Sequence, residues 1–131
     1  MPTNGMLLWL RADAGITKGS TNLVSSWGDQ SGSGNDAKQS DPAAQPLWVT
    51  NSINGRPSLK FNGSSDVLSF NRLTNIRTVF WVIRENSAAS ALWRFLLGDS
   101  TGTDFHAGAS HQLYLAGVTS TNILNGSTRI N

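Results

Sequence analysis

Asp29-Gln30-Ser31-Gly32-Ser33-Gly34-Asn35 places oxygen-bearing side chains at alternate positions with a glycine at the sixth, which is how a calcium-binding loop begins. Such a loop closes with a bidentate Glu at its twelfth position. Here that position is Ser40, and no helical pattern flanks the segment. Asp29 and Asn35 therefore read first as turn residues that hydrogen-bond the loop's own amides and tolerate tight dihedrals, with calcium as the weaker alternative. Asp104 and His106, two apart, would share one face of a strand. They suit a sugar hydroxyl or a cation, but a mutual pair that satisfies a buried polar spot is the stronger expectation. Glycoside hydrolysis needs two carboxylates flanking one bond. Glu85 is the only Glu, Ile83-Arg84 and Asn86-Ser87 beside it hold no second acid, and Asp99 and Asp104 lie five apart. Flat rings are plentiful, with five Trp in 131 residues. Trp48, within Pro46-Leu47-Trp48-Val49-Thr50 beside a polar turn, and Trp93, after a small-residue loop, are the candidate stacking platforms, with Tyr114 a third. Half-exposed rings at a sheet edge also cap cores, and they mark a site only when they form a patch.

These residues must be held by strands. No window repeats apolar residues at helical spacing over three turns, and the best helical candidate, residues 86–95, is short. Strand patterns recur instead: Leu8 to Ala12, Val24 to Trp27, Ser58 to Phe61, Leu68 to Phe70, Thr78 to Ile83 as a central strand, Trp93 to Leu97, His111 to Ala116 and Asn122 to Leu124. Spacing of roughly ten residues with turn chemistry between describes an antiparallel sandwich. Charged residues are 14% of the chain, and Ser, Thr, Asn and Gly abound, which suits a β-rich surface of hydroxyls and amides. The length fits one domain, 1–131, with a core that needs no staples, and the absence of cysteine removes disulfides and thiolate sites. The net charge of +2 comes from ten scattered basic residues with no basic run, so nucleic acid is not an expected partner. No stretch approaches a membrane span, and residues 1–10 lack the pattern of a signal peptide.

Three phrases together resemble the N-terminal portion of a laminin-G-like, concanavalin A-like jelly-roll domain of the lectin and glucanase superfamily. They are Leu7-Leu8-Trp9-Leu10-Arg11-Ala12-Asp13, Val24-Ser25-Ser26-Trp27-Gly28-Asp29-Gln30-Ser31-Gly32-Ser33-Gly34-Asn35-Asp36-Ala37 and Asn54-Gly55-Arg56-Pro57-Ser58-Leu59-Lys60-Phe61-Asn62-Gly63. Leu96 to Gly108, containing Asp104-Phe105-His106, is similar to a stretch that forms two neighbouring strands in that group. The resemblance implies an all-β, antiparallel β-sandwich with Trp9, Trp27 and Trp81 in its core. It also implies that the last strands of the family fold are missing, through truncation, a shortened variant, or completion by a strand of another chain or an oligomer. The function it implies is recognition rather than catalysis: a carbohydrate-binding or adhesion module of a secreted or phage protein, extracellular or virion-associated. A glycan or protein ligand would be contacted by Trp48, Trp93, Asp99, Asp104, His106 and Tyr114, without a cofactor other than calcium. Two alternatives are a structural module of a virion or surface fibre and a fragment of a polysaccharide-degrading enzyme. Gly98-Asp99-Ser100 also resembles the nucleophile block of GDS-type esterases, but that family's downstream Asp-x-x-His is lacking: Asp104 and His106 are too close, and His111 follows Ser110.

Overall fold

The computed structural model describes residues 5–84 together with the strands Arg94–Gly98, Asp104–Ala107, Gln112–Leu115 and Val118–Ile123. Among the described residues the chain is all-β: nine strands lie in antiparallel sheets, and the only helical element is a single 3-10 turn, Pro42–Ala44. No helix there is long and apolar enough to cross a membrane. The chain divides into two compact units, Met1–Arg77 and Thr78–Asn131.

In the first unit, β1 (Ile16–Lys18), β2 (Val24–Trp27) and β3 (Ala37–Lys38) form a sheet in that order. Val24 at the centre of this sheet is fully buried and Ala37 nearly so, making a small apolar kernel. A second pair, β4 (Leu47–Ile53) and β5 (Arg56–Lys60), is a hairpin. Ile53 pairs with Arg56 across the two-residue turn Asn54-Gly55, whose φ angles of 49° and 75° are both left-handed. Asn-Gly favours that turn because its twist matches the flanking strands and glycine lacks the Cβ that resists positive φ. The register shifts between Val49 and Ile53, where Asn51 also has positive φ, as expected for a bulge. β4 joins the first sheet through Val24 N–H to the Pro46 carbonyl and Trp48 N–H to the Asn22 carbonyl, each at 2.9 Å. Ser69 bridges Lys38 through backbone bonds of 2.8 and 3.0 Å, extending the edge beyond β3.

In the second unit, β6 (Arg94–Gly98), β7 (Asp104–Ala107), β8 (Gln112–Leu115) and β9 (Val118–Ile123) make a four-stranded antiparallel meander in chain order. β6 and β8 match the expected strands Trp93 to Leu97 and His111 to Ala116, β7 falls within the stretch Leu96 to Gly108, and β9 begins four residues before the expected Asn122 to Leu124. The helical candidate 86–95 lies mostly outside the described residues, and its last two positions begin β6.

Three expected strands differ, and of these Leu68 to Phe70 is reduced to the isolated bridge of Ser69 to Lys38. Leu8 to Ala12 is not a ladder strand: the Trp9 N–H goes to the Asp29 carboxylate, the Trp9 carbonyl receives Gln30 N–H at 2.8 Å, and the chain turns at once with Ala14 N–H on the Arg11 carbonyl at 3.2 Å. A side chain and a loop amide have taken the bonds a neighbouring strand would use. Thr78 to Ile83 belongs to no sheet, and Phe80 and Val82 are 92% and 70% exposed. Its β-branched and aromatic composition favours a pleated, half-buried surface, which needs a partner strand that the described meander does not supply.

Candidate functional site

The best-ordered constellation of polar and aromatic side chains is built on the first unit around the turn Arg11–Ala14. Asp29 is its hub. Oδ1 accepts from Trp9 N–H and Ser31 N–H, both at 2.9 Å, while Oδ2 accepts from the Ser31 hydroxyl at 2.8 Å and Asn35 N–H at 3.0 Å. Asp29's own N–H donates to Asp36 Oδ1 at 2.9 Å. The loop then clasps the N-terminal segment, with Asn35 Nδ2 on the Leu7 carbonyl at 2.8 Å and the Ser33 hydroxyl on the Met6 carbonyl at 3.1 Å. Partial burial pushes the Asp29 carboxyl up, but the bonds from Ser31, Trp9 and Asn35 together outweigh it and hold the pKa below its ordinary value. Gly15 lies against this corner with φ 71°, its carbonyl receiving Gly28 N–H at 2.7 Å, and a Cβ there would meet the Gly28 carbonyl at 2.9 Å.

Two indoles fix the same turn from the other direction. Trp27 Nε1–H donates to the Arg11 carbonyl at 2.7 Å and Trp48 Nε1–H to the Ala12 carbonyl at 2.8 Å, so successive carbonyls of one turn are held by successive sheets. Arg11 stacks over Trp9, 5.3 Å from the ring centroid, and its guanidinium grips Asp13 in a fork of 3.0 and 2.9 Å. The Arg11 hydrogen bond lowers the Asp13 pKa against an opposing desolvation, and the charges of Arg11 and Arg56 lower it further. Lys18 at the end of β1 places its ammonium 4.8 Å above the centroid of Trp48 and hydrogen-bonds the Asn22 side-chain oxygen. Asn22, with φ 61°, shapes the β1–β2 turn and also receives Trp48 N–H on its carbonyl. Such an ammonium–indole contact at an exposed site contributes roughly 0.5–1 kcal/mol. The result is a half-buried ring, anchored at its edge, facing a cation that is itself bonded to Asn22.

Of the residues singled out from the sequence, Trp48 sits at the centre of this constellation. Asp29 accepts amides of its own loop, as turn chemistry predicts, whereas the Asn35 side chain donates out of the loop to the Leu7 carbonyl. The Asp29 oxygens already accept four hydrogen bonds, which a calcium ion would have to displace. Among the described residues no group of three or more His, Cys, Asp or Glu side chains could hold a metal. Trp9, Trp27 and Trp81 are half-buried, not fully enclosed. Trp93 and Asp99 lie outside the described residues. Asp104 and His106 lie two apart on β7, and His106 is the register partner of Tyr114 on β8, so the meander brings these three to neighbouring positions. Sequence reasoning missed Lys18 and Asn22 as neighbours of Trp48. The one available signal was the Asn54-Gly55 hairpin, which commits Leu47–Ile53 to a strand and hence Trp48 to a sheet. Searches against family models, curated proteins and solved structures find no match to this chain.

Proposed function

We propose that the chain is a non-catalytic recognition module that binds carbohydrate through the Trp48 platform. The observation that carries this reading is the posed indole of Trp48: its N–H is spent on the Ala12 carbonyl, its backbone N–H on Asn22, and its ring is half-buried beside the polar side chains of Lys18 and Asn22. A ring fixed in this way loses little freedom when a pyranose stacks on it, and the polar side chains of Lys18 and Asn22 would orient the sugar. The nearby carboxylates have structural duties, Asp13 to Arg11 and Asp29 to its loop, which supports binding over hydrolysis. The jelly-roll resemblance adds a lectin-like or adhesion context, extracellular or virion-associated, to the same reading. A glycan array probed with the 131-residue chain tests it. Binding should be lost in Trp48→Ala and partly retained in Trp48→Phe, and an array silent for the folded wild type rejects it.

A second reading, an assembly module that contacts protein, is favoured by one observation: the run Thr78 to Ile83 leaves Phe80 and Val82 facing solvent. Exposed apolar runs with strand propensity invite pairing with another chain. Stable oligomers by light scattering, together with a silent array, would select this reading.

A further inference from the structure

Building on the recognition reading above, we infer that the ligand of the Trp48 platform is an acidic saccharide whose carboxylate or sulfate is met by the Lys18 ammonium at the indole face. Lys18 sits over the ring itself, 4.8 Å from its centroid, and its hydrogen-bond partner is the neutral side chain of Asn22. The ion pairs among the described residues are Arg11–Asp13 and Lys38–Asp36, and neither uses Lys18 or Arg56. Of the two carboxylates in this constellation, Asp13 is held by both arms of the Arg11 fork and Asp29 by the donors of Trp9, Ser31 and Asn35. Arg56 lies near enough to Asp13 for its charge to favour the ionised carboxylate. Among the described residues, the Lys18 ammonium over the indole therefore has no carboxylate partner.

That arrangement discriminates between neutral and acidic sugars. A neutral pyranose laid on the indole must move the ammonium off the face, losing the cation–π contact without a charged replacement. An acidic sugar keeps the cation in place and adds a charge-assisted hydrogen bond to it while its ring shares the indole. Single-stranded nucleic acid also combines rings with cations, but it is bound along a continuous basic groove, and the ten basic residues of this chain are dispersed.

The test is titration calorimetry of the 131-residue chain with three probes of similar length: an oligogalacturonate, a sulfated oligosaccharide and a neutral glucan oligomer. A single-stranded oligonucleotide is run beside them. The expected result is preference for an acidic probe, with binding weakened by added salt. The carboxylate and sulfate arms identify which anion the site takes. Lys18→Gln should weaken the acidic probe about tenfold, equivalent to about 1.4 kcal/mol, with an unchanged circular dichroism spectrum. Lys38→Gln, which removes the same charge from the Lys38–Asp36 ion pair, should change it less than about twofold. Equal affinity for neutral and acidic probes, or equal losses in the two variants, overturns the acidic-ligand inference and leaves the recognition reading intact. Failure of every saccharide to bind the folded chain, with or without oligonucleotide binding, overturns both.

Discussion

Asp29 shows how one carboxylate can define a loop: four donors from three residues converge on its two oxygens, and two of the three come from its own turn. Asp29→Asn keeps the shape but loses the charge and one acceptor, and should cost about 2–3 kcal/mol in a urea titration. Its pH dependence has a definite sign. Because the folded pKa is depressed, the stabilisation is fully present above the unfolded value, near 4, and is lost as pH falls through the lower folded value. The wild type should therefore lose stability below about pH 4, and Asp29→Asn should follow a flatter curve there, which acid titrations followed by circular dichroism would compare. Gly15→Ala should cost about 2 kcal/mol, since φ 71° and the Gly28 carbonyl both oppose a side chain. The Asp29 role was legible in the sequence because its partners are local. The Lys18–Trp48 contact was not, because it exists only once β4 lies beside the β1–β2 turn.

At the scale of elements, local patterns and long-range competition divide the result. Val24 to Trp27, Ser58 to Lys60 and the strands from Arg94 onward follow from alternation and turn spacing, and all are present. Leu8 to Ala12 alternates equally well yet forms a turn, because the Asp29 carboxylate and Gln30 amide capture Trp9's backbone. Alternation describes a strand's faces and says nothing of whether a neighbour will supply the ladder. The Asn54-Gly55 hairpin is the most locally determined element of the first unit. Gly55→Ala should destabilise it by about 1 kcal/mol and, by loosening β4, raise the fluorescence-detected mobility of Trp48. Asn54→Gly should be tolerated, since glycine also accepts the 49° φ at that position.

For the whole molecule, an all-β chain was readable from composition: few charges, many hydroxyls and amides, and apolar runs interrupted by glycine and asparagine. The partition into Met1–Arg77 and Thr78–Asn131 was not readable, since no linker composition marks residue 77. The boundary adjoins the exposed run Thr78 to Ile83, whose six residues carry no charge and no proline, the composition that drives strand pairing between chains. A Phe80→Ser, Val82→Thr double variant should shift sedimentation profiles toward monomer and raise solubility. An unchanged profile would show that this run drives no self-association.

The two indoles that clamp the Arg11–Ala14 turn give the molecule a built-in optical probe. Trp48 emits under a positive charge that a bound anion would neutralise, so its intensity and wavelength should respond to occupancy. Trp27, hydrogen-bonded to the adjacent carbonyl, should follow unfolding of the corner instead. In variants that keep only Trp48 or only Trp27 of the five tryptophans, binding and melting can be followed separately without attaching a dye.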